Sequence, residues 1–484
     1  MESRQPSHRS MLSNLPTEIL TLVFENFCLH CRESDANGVP QVYYPRKQEG
    51  RFEPSWYSLD LQTLYSTCLV SRRLCDIAQP ILYHEFVPGY GDSWNSVQYE
   101  WTGRLTGFLR TVALRRDLAN LVRGLYLSHW LLSPIFIEPT QGYAALEQTA
   151  LVRGVNLSDF LKSFPLEDNG SYRPVADELI TMLLSCLPNL ARLYLTTTTP
   201  GNPISMEALK AAGVLRLSLQ TIEVEAGGSN LRHRLGGILE MSLPTLKTLN
   251  IDSYSSFEGD KLGLSGLYFP SLRNISVTAS KMSGPDLESL LSCCSGLETF
   301  IYDATSSIYS IHPCDIIKYL NRHQETLTTV RFDLRNADFI NPFLPEPMPS
   351  LQLFPVLQDV ALNSFHIYND NKEQLKDGNV LCRVLPPSIV SLRLYDTVGT
   401  PSLSQLSTDL VRLAEAVYHK QFPSLKTVKC YIREQFDDYY LDLKFASAGV
   451  HLNMILGPPS DVVPRRRSST PSSSSLGSIP SPMG

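Results

Sequence analysis

Pro188-Asn189-Leu190-Ala191-Arg192-Leu193-Tyr194-Leu195-Thr196 carries the pattern that decides the fold. Apolar residues fill the first, fourth and sixth places after Pro188-Asn189, at Leu190, Leu193 and Leu195. The same unit recurs at Leu219-Ile222-Val224, Leu246-Leu249-Ile251, Leu272-Ile275-Val277, Leu297-Phe300-Tyr302, Leu327-Val330-Phe332, Leu357-Val360-Leu362, Ile389-Leu392-Leu394 and Leu425-Val428-Cys430, and upstream at Val122-Leu125-Leu127. From Leu190 onward the steps are 29, 27, 26, 25, 30, 30, 32 and 36 residues, a short repeat period that stretches toward the end. Pro244, Pro270, Pro355, Pro387 and Pro423 repeat the placement of Pro188, two residues before the first apolar position. Proline ends a helix and sets up an extended entry, so each helix is expected to stop just before its strand.

The intervening segments have helical periodicity, most clearly from Asp177 (DELITMLLSCL), Pro285 (PDLESLLSCC), Cys314 (CDIIKYLNRH) and Ser407 (STDLVRLAEAVYHK). Short strands alternating with helices at this period predict an α/β solenoid over 121–456, with parallel inner strands and outer helices. The interval 128–186 is longer. It is expected to hold a degenerate repeat around SDFLKSF or an inserted loop.

Working toward the N-terminus, residues 88–120 read as a connector and 12–87 as a helical module. LSNLPTEILTLVFENF (12–27) predicts an amphipathic helix with Pro16 in its first turn, where the missing N–H has no intrahelical partner. Ile19, Leu20, Val23, Phe24 and Phe27 make one wide apolar face. A second helix is predicted over 59–78, stopped by Pro80. Between them 28–58 reads as an inserted loop.

Leu15-Pro16-x-Glu18-Ile19-Leu20-x-x-Val23-Phe24, then Cys68-Leu69-Val70-Ser71-Arg72-Arg73-Leu74 and Ala78-Gln79-Pro80-Ile81-Leu82-Tyr83, resembles the F-box motif in the form common among filamentous fungi. The repeats resemble the irregular leucine-rich repeats found behind F-boxes, without the regular Asn or Cys ladder of better-ordered relatives. The resemblance implies a three-helix module that docks the Skp-type adaptor of a Skp–cullin–F-box ubiquitin ligase and, through it, a cullin. By the same resemblance, adaptor binding falls to Leu15, Pro16, Ile19, Leu20, Phe24, Leu69 and Val70. The family joins its first two helices by a few residues, so the 28–58 segment is a departure.

Residues on either side of the sixth position are expected to face the inner side of the solenoid. Glu225, Asp252, Asp303 and Asp333 form an acidic column there, and Tyr395 and Tyr431 lie at the C-terminal end. They are the candidates for gripping an unidentified target protein with basic residues, the tyrosines as anchors. Strand-end capping is the plainer reading of the same carboxylates.

Bulk properties narrow the class. A net charge of −6 over 484 residues argues against a general nucleic-acid or membrane-surface binder. No apolar run reaches a membrane span. Thinly spread cysteines and a polar opening segment point to a cytoplasmic or nuclear setting. Cys28-x-x-Cys31 brackets His30, but no second pair follows at ligand spacing, so no metal or cofactor is expected. No phosphate loop, nucleophile elbow or zinc-protease motif is present. Residues 1–11 and the Ser/Pro-rich tail 457–484 read as disordered. In the tail, Arg465–Arg467 precede Ser468 and Ser469, and Thr470-Pro471 and Ser481-Pro482 are candidate phosphorylation sites.

The expected role is therefore a non-catalytic substrate receptor. Two alternatives are a repeat scaffold whose N-terminal helices only cap the solenoid, and an enzyme with a site in 128–186.

Overall fold

The computed structural model describes residues 15–32, 56–88, 101–164 except 138, 175–196, 203–226, 230–255, 262–304, 311–333 except 312, 349–368, 379–395, 403–432 and 439–456. The expectations for 1–11 and 457–484, including the candidate phosphorylation sites, lie outside them.

The repeat pattern becomes a single parallel sheet of twelve strands in strict sequence order. They are β1 (Glu85–Phe86), β2 (Gly124–Leu127), β3 (Arg192–Thr196), β4 (Thr221–Glu225), β5 (Thr248–Asp252), β6 (Asn274–Ser280), β7 (Thr299–Ala304), β8 (Thr329–Asp333), β9 (Asp359–Asn363), β10 (Ser391–Tyr395), β11 (Thr427–Ile432) and β12 (His451–Leu456). The fourth-position residues pair in succession, from Leu125 with Leu193 and Leu193 with Ile222 to Leu392 with Val428 and Val428 with Leu452. This is a solenoid-like architecture that fits leucine-rich repeats. No helix among the described residues is long and apolar enough to cross a membrane.

A backbone spine links the turns. The carbonyl of His84 accepts N–H bonds from both Arg123 (2.7 Å) and Gly124 (3.0 Å). Arg123 does the same for Ala191 and Arg192, and the relay passes through Ala191, Gln220, Lys247, Arg273, Glu298, Thr328, Gln358 and Val390 to Lys426. From His84 to Val390 each of these carbonyls accepts two N–H bonds from the next turn, so no repeat is satisfied alone.

The Asn ladder missing from the sequence has a substitute. The residue just before the first apolar position donates a side-chain hydrogen bond to the preceding turn. Thr245 Oγ1 donates to Leu219 O (2.8 Å), Thr326 Oγ1 to Leu297 O (2.7 Å) and Ser388 Oγ to Leu357 O (2.8 Å). Asn189 and Ser271 reach the carbonyls of Asn120 and Pro244 in the same way.

Pleating sends first-, fourth- and sixth-position residues into one continuous core against the helices. The opposite face of the sheet carries separate small clusters.

The N-terminal part contains α1 (Thr17–Glu25), α2 (Leu29–Arg32), α3 (Trp56–Val70) and α4 (Arg72–Leu82). The long helix expected over 59–78 is two helices. Ser71 takes an extended conformation and its hydroxyl accepts from Leu74 N (3.2 Å), which caps α4 and breaks the run. Pro80 does not stop α4, because it lies in the last turn and forfeits only one ladder bond. The ends of the expected 28–58 loop are also helical, in α2 and the start of α3, tied by Arg32 to Asp60 at 2.8 Å.

The connector 88–120 is not a plain linker. It contains α5 (Arg104–Leu114) and α6 (Arg116–Ala119), and Leu105, Leu109 and Val112 enter the solenoid core. The long interval 128–186 holds no degenerate repeat among the described residues. β2 pairs directly with β3, and the described residues of the interval form α7 (His129–Ile137), α8 (Pro139–Arg153), α9 (Leu157–Lys162) and α10 (Ala176–Cys186). SDFLKSF is mostly α9, which Asn156 caps by accepting from Ser158 N and Asp159 N.

Candidate functional site

Three features stand out: an apolar face on the N-terminal helices, the open face of the sheet, and a cysteine–histidine cluster between them.

The N-terminal helices have their own small interior. Leu20, Phe24, Cys28, Leu64, Leu74, Ile77, Ala78 and Ile81 are buried together. Two residues expected on a docking face, Leu20 and Phe24, therefore belong inside. α1 is apolar on two sides, and periodicity alone could not tell which side faces inward. Leu15 is half-buried against the same interior, and its carbonyl accepts from the Arg73 guanidinium. Pro16 is exposed.

The outward face of this unit remains strongly apolar. Ile19 is 44% exposed, Leu22 59% and Val23 42% on α1, while Leu69 and Val70 at the end of α3 are each 71% exposed. Scattered exposed apolar residues are ordinary, but three of them fall at i, i+3 and i+4 on α1 and two more end α3. Leu22 was missed by the sequence reading because its neighbours Leu20 and Phe24 drew the stripe one step round the helix.

The helices also lean on the open face of the first strands. Leu29 and Tyr57 pack with Val87 and Tyr194, and with the partly buried Tyr126. The Tyr126 and Tyr194 rings stack with centroids 4.2 Å apart. Arg192 donates to Glu85 at 2.7 Å, and the Tyr57 hydroxyl donates to the other carboxylate oxygen at 2.7 Å. Burial pulls Arg192 down to about 10, which still leaves it protonated at neutral pH.

Farther along the open face, Glu225 and Asp252 pair in register, as do Asp303 with Asp333 and Tyr395 with Tyr431. Several of these groups are already engaged. The Tyr194 hydroxyl donates to Glu225 (2.9 Å), and burial pushes that phenol well above its usual range. Asp252 accepts from Thr278 (3.0 Å) and Ser253 (3.1 Å). Glu225, Asp252 and Asp303 are half-buried, but Asp333 is only 1% exposed. The expectation of Tyr395 and Tyr431 as projecting anchors is corrected. At 2% and 5% exposure they form a patch with Ala361 and Ile455, their rings 5.3 Å apart. The guanidinium of Arg331 lies 5.7 Å from the Tyr395 ring centre, in cation–π range.

The third feature was not expected. The side chains of Cys28, His30, Cys31 and His84 converge, with their candidate donor atoms all within 4.8 Å of one another. His84 lies 53 residues after Cys31, so a search for a nearby second ligand pair could not find it. The Cys28 thiol is pushed up to about 12, first by its hydrogen bond with Cys31 and then by burial. Cys31 is lowered, because it receives that bond. None of the ten cysteines is in a disulfide.

Between α5, α7 and α8, a cavity bordered by Trp101, Leu131 and Gln141 has a volume of about 10 Å³. It has room for about one water, and no His, Cys, Asp or Glu lines it. No protein-family model matches the chain, and a search of curated proteins finds no match.

Proposed function

We propose that the chain is the substrate-recognition subunit of a Skp–cullin–F-box ubiquitin ligase. Its N-terminal helices hold the Skp-type adaptor, and the open sheet face holds a target protein. The observation that carries this reading is the exposed run Ile19, Leu22, Val23, Leu69 and Val70. It coincides with the segments whose sequence resembles the F-box, and it lies outside an interior that is already complete without it. The chain supplies proximity and orientation, and the ligase partners supply the chemistry.

On this reading the adaptor contacts are Pro16, Ile19, Leu22, Val23, Leu69 and Val70, with Leu15 supporting them from the module's edge. The target face centres on Glu225, Asp252 and Asp303, which favour a basic segment.

A scaffold role has its own support. β1 extends the sheet, and Leu29 and Tyr57 cover Tyr126 and Tyr194, as a cap would. Capping leaves the outward apolar face unexplained, so the receptor reading is preferred. Affinity purification with the proteasome inhibited separates the two. The wild-type chain is expected to retain adaptor, cullin and targets, and an Ile19→Asp/Val23→Asp chain to retain targets only. A wild-type chain that captures no adaptor favours the scaffold.

A further inference from the structure

We infer that Cys28, His30, Cys31 and His84 form a structural zinc site that locks the N-terminal helices to the first rung of the sheet. Three of the six donor–donor distances are close to those of a tetrahedral site. Cys31 Sγ lies 3.3 Å from His84 Nδ1, Cys28 Sγ lies 3.8 Å from the same nitrogen, and Cys31 Sγ lies 3.8 Å from His30 Nδ1. A tetrahedral ion with Zn–S bonds of about 2.3 Å and Zn–N bonds of about 2.0–2.1 Å has ligand–ligand edges of roughly 3.3–3.8 Å. The three measured edges match, and no pair exceeds 4.8 Å.

The backbone explains the convergence. The Arg32 N–H bonds to the Cys28 carbonyl at 3.1 Å, so 28–32 is one helical turn. Residues three apart share a face of such a turn, which brings Cys28 beside Cys31. His84 arrives from the other side, at the end of α4. Its N–H is held by Ile81 O (3.1 Å), and its carbonyl starts the backbone spine that binds Arg123 and Gly124. The His30 and His84 rings meet edge to face, 5.1 Å between centres.

The donor set selects the ion. Two thiolates and two imidazoles in a tetrahedral arrangement favour zinc over the hard cations, which prefer oxygen. Four protein ligands leave no open position, so the site is structural rather than catalytic. Two thiolates balance the charge of a divalent ion, so the filled centre is neutral and can be half-buried without a further counter-charge. Binding replaces the two thiol protons with two Zn–S bonds and releases both protons to solvent.

The consequence follows from placement. The ligands come from the turn before α2 (Cys28), from α2 itself (His30 and Cys31) and from His84, the residue just before β1. A bound ion fixes the angle between the apolar helical face and the repeats. If the receptor reading holds, that angle sets the distance from adaptor to target. The site itself does not depend on that reading.

The test is metal analysis of the full chain, produced with zinc supplementation and purified under reducing conditions without chelators. One zinc per chain is expected, and X-ray absorption is expected to show two sulfur and two nitrogen neighbours. Cys31→Ser combined with His84→Asn should abolish it, while Cys68→Ser and Cys75→Ser should leave it intact. If the double variant does not fold, cobalt exchange into the wild-type chain decides. The visible bands of tetrahedral thiolate-bound cobalt are expected. A wild-type chain without stoichiometric zinc, zinc retained in the folded double variant, absence of sulfur neighbours, absence of those cobalt bands, or a Cys28–Cys31 disulfide in the purified protein would overturn the assignment.

Discussion

Arg192 reaches Glu85 at 2.7 Å across an intervening strand, past Gly124, which has no side chain to separate them. Both charged groups are nearly buried, at 13% and 1% side-chain exposure. Because Glu85 also accepts from Tyr57, this carboxylate joins β1, β3 and α3. Removing one member of a buried pair leaves the other uncompensated, at a cost of about 3–5 kcal/mol. Glu85→Ala is therefore expected to lower stability by that order in chemical denaturation and to raise hydrogen exchange in α3. Glu85→Leu combined with Arg192→Met is expected to cost less than Glu85→Ala alone.

The hydroxyl ladder makes a smaller, separable prediction. Thr326→Val keeps shape but deprives the Leu297 carbonyl of its donor. A loss of about 1 kcal/mol is expected. Thr245→Val acts on a different turn, so the two losses should add in denaturant titrations.

How legible the fold was depended on whether a feature is periodic. The strands β2 to β11 follow the one-four-six spacing, and each fourth-position residue pairs as its spacing implies. β12 escaped because Gly449 stands where the first apolar residue belongs, and β1 because a strand of two residues makes no pattern. Within 128–186, α10 was legible in the periodicity of DELITMLLSCL, whereas α7, α8 and α9 have no repeat to register against and emerge only from the structure. Leu20 against Ile19 is a question of which side of a two-sided helix finds neighbours. The His84 donor depends on a contact across more than fifty residues, which no local spacing encodes.

His323 supplies a pH signature. It is 1% exposed, and its Nε2–H donates to the Leu291 carbonyl at 2.9 Å. Burial lowers its pKa below 6.5. The unfolded chain therefore binds the proton more readily than the folded one. Its contribution to stability is complete above pH 6.5 and is lost as pH falls through the depressed folded value. His323→Gln should flatten the pH dependence of thermal unfolding on the acid side of pH 6.5.

Target recognition is expected to depend on the part-exposed carboxylates. Charge reversal at Asp252 and Asp303 together should lose proteins captured by the repeats while leaving adaptor capture unchanged. Quantitative mass spectrometry of purified complexes reads both at once. Retention of every captured protein by the double variant would remove the acidic column from the account.

The most direct test is titration calorimetry of the full chain with a purified Skp-type adaptor. A saturable one-to-one complex is predicted for the wild type. Ile19→Asp with Leu69→Asp should weaken it at least about a hundredfold, the scale of losing two central apolar contacts. Leu215→Asp, at a residue 93% exposed elsewhere on the chain, should bind as the wild type does. No binding by the wild-type chain, or equal binding by the Ile19/Leu69 variant, would contradict the account.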